Sequence, residues 1–359
     1  MKALSWAGQA PDHSDSHGVG AAAAPGWEPT IYAVAAQANV SIATVSRVLR
    51  GSAPVNPETR ERVLAAVADL GYTPSRSARS LAEGQHAAHG ILFPGLSGPY
   101  FAEVVLGYEE VAAELGRSVL VVCTHGRPAV RERAMDLTSR VDGMVVLGRA
   151  VEGEVIAALQ SKRLPLVLLG HDPVEEADSI NAENADSAYA LAMHLIHDHG
   201  YRSLAFLGDT HGSSDTSQRW RGFRRALLEA ELPISEPTPC PLNEDGGRRA
   251  AERLLREQPP RALACANDEI ALGAIGAAEA LGLRVPDDLA ITGWDDVMAA
   301  RHSRPGLTTV RQPMRELGSM AARWLHERLN TNQLAPRHAV LPTHLVIRAS
   351  CGNHSEEDQ

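Results

Sequence analysis

Seven residues near the start of the chain carry the most legible chemistry: Ser41, Ile42, Ala43, Thr44, Ser46, Arg47 and Arg50. An arginine can bond both acceptors of a guanine edge, and small apolar groups can touch thymine methyls. Hydroxyls such as those of Ser41 and Thr44 can hold phosphates. Gathered on one helix face, this set suits the major groove of duplex DNA. Further on, residues 75–82 read Ser-Arg-Ser-Ala-Arg-Ser-Leu-Ala and contain Arg76, Ala78 and Leu81. Ala78, Leu81 and Ala82 would share one helix face, but almost nothing else in the segment can build a core. Such a segment is expected to be disordered alone and to fold only against a partner. A lone leucine there is consistent with a wedge in the minor groove, where bending and added contacts offset the cost of unstacking. A linker whose Leu81 packs on the next domain is the plainer alternative.

Three short helices must position these groups. The first is expected over Ile31–Gln37, followed by a turn at Ala38-Asn39-Val40, where asparagine tolerates the left-handed backbone. Ser41 can then cap a second helix over Ile42–Leu49. Val45, Val48 and Leu49 would be its buried stripe, leaving the polar set on the opposite face. Gly51 stops that helix. Asn56-Pro57-Glu58 opens a third one with a cap, a first-turn proline and an acid at the positive helix end. Val63, Ala66, Val67 and Leu70 give it an inward face, and Gly71 ends it. A generic three-helix domain would share much of this pattern.

The run Tyr32-Ala33-Val34-Ala35, then Val40 through Leu49, then Gly71-Tyr72-Thr73-Pro74 and Ala78-Arg79-Ser80-Leu81, resembles the lactose/galactose-repressor family of bacterial transcription regulators. The resemblance implies that Ile42, Ala43 and Arg47 read bases, that Arg76 and Ala78 belong to a hinge helix, and that Leu81 intercalates. The chain departs from the family pattern at Ala33, usually aspartate, and Asn39, usually glycine. Neither lies on the reading face.

The net charge of −10 is unpromising for a DNA binder until it is localised. Residues 30–85 hold six arginines against three glutamates and one aspartate, a net of about +2, so the acidic excess lies elsewhere. At that modest charge, backbone N–H groups and hydroxyls must share the phosphate contacts, and dimerisation would double the positive charge. The four cysteines, Cys123, Cys240, Cys265 and Cys351, have no metal-ligand spacing and are expected to be buried free thiols. Residues 1–29 have no apolar signal region and read as a disordered tail, and the chain has no apolar run long enough for a membrane span. These features point to the cytoplasm.

From about His89 short apolar runs alternate with helical stretches. Strands are expected at Gly90–Phe93, Val119–Cys123, Gly143–Leu147, Leu166–Leu169, Ser203–Leu207, Ala262–Cys265 and Leu289–Thr292. Helices are expected at Glu103–Leu115, Ala185–His199, Gly222–Ala230, Gly246–Glu257 and Glu269–Leu281. Such alternation means parallel sheets. The expected fold class is an all-α helix-turn-helix domain (30–74), a hinge (75–85), and an α/β core (86–352) of two doubly wound lobes like periplasmic binding proteins. Lobe 1 would take about 88–183 and 314–341, lobe 2 about 184–310 and 342–352, before a tail at 353–359. Motifs such as Arg219-Trp220-Arg221-Gly222-Phe223, Ala266-Asn267-Asp268 and Gly293-Trp294-Asp295-Asp296 extend the family resemblance over roughly 30–350. By it the core is an effector sensor and dimerisation module.

Ligands in such folds sit beyond the carboxyl ends of the strands. Tyr100 and Phe101 follow the first strand and could stack on a ring, although Phe101 could equally be core. Arg219, Asn267 and Asp295 offer donors and acceptors for a polyhydroxylated ligand. Asp268 is expected to cap the helix at Glu269, and a surface ion pair is the alternative for Arg219. Sugar-binding relatives often place an acid where this chain has Gly170, and an aromatic where it has Leu242. A sugar or sugar derivative leads as the effector, with a purine or another small metabolite as alternatives. His194 and His197 share a helix face while His199 is expected to point elsewhere, so no metal is assigned. No phosphate loop, dinucleotide fingerprint or catalytic constellation emerges, so neither a cofactor nor an enzyme is expected. The expected partners are a palindromic double-stranded DNA operator, a second copy of the chain and a small effector. Repression relieved by an inducer is the usual outcome, with a corepressor allowed.

Overall fold

A computed structural model describes residues 29–51, 53–73, 86–331 and 335–352. The hinge residues Arg76, Ala78 and Leu81, the tails at 1–28 and 353–359, and the side chain of Arg50 lie outside the described residues. The chain divides into two compact units, 1–82 and 83–359.

The first unit is built from α1 (Ile31–Gln37), α2 (Ile42–Arg50) and α3 (Pro57–Leu70). Each helix has a side-chain cap that accepts from an otherwise orphaned backbone N–H: Thr30 from Ala33, Ser41 from Thr44, and Asn56 from Glu58. Asn39 sits at φ 48°, and Gly51 and Gly71 end their helices at φ 63° and 60°, where an L side chain would be strained. Val34, Ala35, Val45, Val48, Val63, Ala66 and Tyr72 form the core between the helices. Gln37 Nε2 adds a tie to Asp69 Oδ2 at 3.2 Å.

The second unit contains two parallel sheets. The larger has the order β10-β5-β4-β3-β1-β2. Its strands are β1 (Ala88–Phe93), β2 (Ser118–Cys123), β3 (Gly143–Leu147), β4 (Leu166–Leu169), β5 (Asp178–Ala182) and β10 (His338–Leu341). The smaller runs β6 (Leu204–Leu207), β7 (Ala262–Cys265), β8 (Ala290–Thr292). An antiparallel pair, β9 (Thr309–Arg311) with β11 (His344–Val346), adjoins the smaller sheet through a bridge between Thr292 and Thr308.

Most strands read as unbroken apolar runs because helices cover both faces. In the larger sheet Ile91, Phe93, Val145, Leu147, Val167 and Leu169 pack against α4 (Pro99–Glu114) and α12 (Met314–Asn330). The alternate residues Leu92, Met144, Val146, Leu166 and Leu168 pack against α5 (Val130–Thr138) and α6 (Gly153–Ser161). The smaller sheet buries a larger apolar cluster with α7 (Ala185–His197), α8 (Ser214–Glu229), α9 (Glu244–Glu257) and α10 (Asp268–Ala280). A short helix, α11 (Met298–His302), follows β8. Helices α7 and α8 touch backbone to backbone at Gly222, where a Cβ would collide with the Ala185 carbonyl.

Strands β5, β9, β10 and β11 were not expected from sequence. Their polar members are the reason. Asp178 opens β5 fully buried, held by Arg328 at 2.6 Å and Arg337 at 2.9 Å. Burial pushes that carboxyl up, but the hydrogen bonds from the two arginines leave it below the usual carboxylate range.

Candidate functional site

The candidate DNA-facing surface rests on α2. Val45 and Val48 point inward, which leaves Ile42, Ala43 and Arg47 exposed together, Ile42 at 38%. Ser46 is half-buried beside them. The Ser41 hydroxyl receives the Thr44 N–H at 3.2 Å and lies 2.9 Å from the Thr44 hydroxyl. Both hydroxyls are therefore held at the positive end of α2, where an anion is favoured. Arg47 Nε donates to the Ala43 carbonyl at 3.3 Å, which leaves its terminal nitrogens outside that bond. Tyr32 on α1, absent from the residues singled out by sequence, is 69% exposed.

The second candidate site lies at the carboxyl ends of the strands in both sheets. Tyr100 and Phe101 begin α4, with rings edge-to-face at 5.3 Å. Phe101 also meets Phe93 edge-on at 5.9 Å, so it serves the core and the cleft together. From the smaller sheet come Arg219 on α8, Asn267 at the start of α10, and Asp295 after β8. Arg219 is only 5% exposed. It donates to Asn184 Oδ1 at 2.7 Å and to the Ala266 carbonyl at 2.6 Å, and its guanidinium lies 4.5 Å over the Trp294 ring. This is a buried, aimed cation and not the surface ion pair left open by sequence.

Around that cation stand more acids than it can neutralise. Asp215 accepts from Asn184 at 3.1 Å, and burial raises its carboxyl more than Arg219 and Asn184 lower it. Asp295 accepts from Gln312 Nε2 at 2.6 Å, and burial outweighs Arg219 to lift it to about 7. Glu269 is also raised by burial and lies against Gly98, where a Cβ would strike its carboxylate. The Tyr100 phenol is pushed above its ordinary value by burial and then by Asp215 and Asp295, which places it among these acids. Among the described residues, Trp294 Nε1 and Gln312 Oε1 are buried without a hydrogen-bond partner. Ser214 Oγ donates to Asp172 Oδ1 at 2.6 Å, and Arg149 to the His211 carbonyl at 2.6 Å, so the two sheets' loops meet at the cleft rim.

Two expectations need correction. Asn267, not Asp268, caps α10, its Oδ1 accepting from Ile270 N at 2.9 Å. Asp268 is instead fully buried, accepting from Thr309 Oγ1 at 2.6 Å and Val297 N at 2.9 Å. With Oδ1 committed to the cap, the Asn267 amide makes only a 3.5 Å contact to the Leu242 carbonyl, so its N–H groups remain for a ligand. Leu242 reaches this cluster through its backbone, with a side chain 43% exposed. The second correction is His199, whose ring turns onto His194 edge-to-face at 4.9 Å. Sequence reasoning missed Asn184, Asp215, Glu269, Trp294 and Gln312. The Gly293-Trp294-Asp295-Asp296 motif includes Trp294, and no spacing links the five.

A helix-turn-helix unit followed by a two-lobed parallel α/β core defines a DNA-binding transcription regulator. Residues 30–75 match the family model described as bacterial regulatory proteins, lacI family, and residues 193–351 match the periplasmic binding protein-like domain. Catabolite control protein A of Priestia megaterium is 32% identical over 328 residues, covering 89% of this chain and 98% of that protein. A lac repressor dimer bound to operator and the anti-inducer ONPF superposes with a TM-score of 0.81 at 28% identity, covering 91% of this chain and 100% of that one. The complex of the transcriptional regulator CelR with cellobiose gives a TM-score of 0.69 at 30% identity, covering 90% and 100%. The chain belongs to the LacI family of bacterial transcriptional regulators, and is a regulator rather than an enzyme. Among the described residues no helix is long and apolar enough to cross a membrane.

Proposed function

We propose that this protein is a cytoplasmic repressor that binds an inverted-repeat operator as a homodimer and is controlled by a sugar or sugar derivative held in the cleft. The observation that carries the effector class is the excess of acids around Arg219, with Asp295 buried and Asp215 and Glu269 half-buried. Asp215, Asp295 and Glu269 are raised by burial and lack enough donors. The hydroxyls of a polyol supply donors, while the Trp294 N–H and Gln312 carbonyl oxygen meet its remaining polar atoms. Tyr100 and Phe101 offer apolar ring faces to a pyranose. The CelR–cellobiose complex supports the same class.

In this reading lobe 1 comprises about 88–183 and 314–341, and lobe 2 about 184–310 and 342–352. Ile42, Ala43, Ser46, Arg47 and Arg50 read bases, Ser41 and Thr44 hold phosphates, and Arg76, Ala78 and Leu81 order on the operator centre. Two copies place their α2 helices in successive major grooves, which a two-fold operator mirrors. The lac repressor dimer on operator supports that arrangement. The effector acts by its differing affinity for the DNA-competent and incompetent states, typically about 1–3 kcal/mol.

The test selects duplexes from a random pool with the full chain, then titrates a panel of mono- and disaccharides, with purines as a comparison set, by fluorescence anisotropy. An inverted repeat and a saccharide-dependent affinity are expected. No palindromic preference over random competitor at any salt overturns the reading. A response to purines alone overturns the sugar assignment.

A further inference from the structure

Away from the cleft, at the far end of α7, three donor side chains converge: His194, His199 and Cys351. One ligating atom from each lies within 4.8 Å of the other two. His194 Nε2 is 3.6 Å from Cys351 Sγ. Bonds of about 2.3 Å to sulfur and about 2.1 Å to nitrogen, at tetrahedral angles, place two zinc donors about 3.6 Å apart. The opposite nitrogen of His194, Nδ1, lies 2.6 Å from Asp198 Oδ2. A carboxylate in that position holds the Nδ1 proton and turns the Nε2 lone pair toward the thiol, the outer-shell arrangement that orients metal-bound imidazoles. His199 is set by stacking on Tyr201 at 5.6 Å, and the Tyr201 hydroxyl donates to the Cys351 carbonyl at 2.9 Å.

We propose that His194, His199 and Cys351 bind a zinc ion, with Asp198 as the residue that positions His194. Two imidazoles and a thiolate suit zinc and exclude magnesium or calcium, which take oxygen donors. Binding exchanges the thiol proton for the metal and releases it to solvent. A water completes the fourth position. Cys351 and His194 are buried, and the half-buried edge of His199 beside exposed Asp198 gives the ion its entry. The ion would staple the last turn of the core to α7. The neighbouring Ser350 Oγ receives the Thr308 N–H at 2.8 Å and donates to the Ile291 carbonyl at 2.6 Å. The staple therefore loads the start of β9, the strand that ends beside Gln312 at the cleft.

The experiment strips the full chain with a chelator, titrates Co(II) and follows with Zn(II). One equivalent of Co(II) is expected to give a thiolate-to-metal charge-transfer absorption that Zn(II) bleaches. Cys351→Ser abolishes the band, His199→Gln weakens binding, and Cys265→Ala keeps it. Asp198 is 63% exposed, so Asp198→Asn folds normally and loosens the metal about 10- to 100-fold. Zn(II) raises the unfolding midpoint of wild type and not of Cys351→Ser. A folded wild-type chain that gives no band overturns the proposal. So does an unchanged band and affinity in His199→Gln and Asp198→Asn.

Discussion

Asp295→Asn should make the protein more stable at pH 8 and leave it almost unchanged at pH 4. Burial, only partly offset by Arg219 and Gln312, lifts this carboxyl from 3.8 to about 7. The folded chain therefore holds a proton there that the unfolded chain has released over the window between those values. Stability from this group is complete below about pH 4 and falls as pH rises toward 7. Each pKa unit is about 1.4 kcal/mol, so at pH 8 the ionised side chain costs on the order of 4 kcal/mol. Asparagine keeps the acceptor for Gln312, tolerates the positive φ of 118° and removes the charge.

The difference between variant and wild type is the quantity to measure, because other groups titrate too. Burial lowers His89 to about 4, so its contribution rises with pH in the same window and masks the slope of wild type alone. Asp268, lifted by burial and by Asp295 to about 8, adds to the downward slope; the part due to burial remains in the variant, and the part due to the Asp295 charge goes with it. Urea midpoints read by tryptophan fluorescence from pH 4 to 8 give the comparison. A gain that is independent of pH, or a variant less stable than wild type at pH 8, refutes the argument. On the proposed function the same variant keeps operator binding and loses most of the saccharide response.

Arg47→Ala should relax base preference, costing about 1–3 kcal/mol on the selected duplex and little on random DNA, as read by competition gel shift. Equal losses on both would assign Arg47 to phosphate. Asp296 is fully buried and takes Arg348 at 2.6 Å, Arg311 at 2.7 Å and Arg301 at 3.3 Å. Asp296→Ala strands Arg348, whose side chain is 19% exposed, while the half-exposed Arg311 and Arg301 turn to water, and should cost about 1–3 kcal/mol in urea unfolding, with a loss below about 1 kcal/mol counting against the network. Gly222→Ala puts a methyl into the Ala185 carbonyl and should destabilise the core by about 1–3 kcal/mol, whereas Gly276→Ala, with nothing within 4 Å, should not. Ser41→Ala removes the α2 cap and should cost the N-terminal unit about 1 kcal/mol by thermal melting.

The DNA-facing unit was legible because its determinants are local. The caps Ser41 and Asn56, the stops Gly51 and Gly71, and the stripe Val45–Val48 act within a turn or two of themselves. Their order in sequence is nearly their order in space. The parallel strands of the core were legible for a related reason: burial on both faces leaves a run such as Leu166–Leu169 with no polar residue. Strand β10 escaped because its partner β5 lies far away in sequence, and β5 escaped because Asp178 is made tolerable only by Arg328 and Arg337.

By itself the chain determined that three capped helices precede a parallel α/β core, because caps and periodicity are short-range physics. Only tertiary structure decided which side chain caps α10, that Arg219 is buried over Trp294, and that His199 turns back to meet His194 and Cys351. Those outcomes depend on groups brought together by sheet order and burial, and a buried charge or donor acquires its chemistry from its surroundings rather than from its neighbours along the chain.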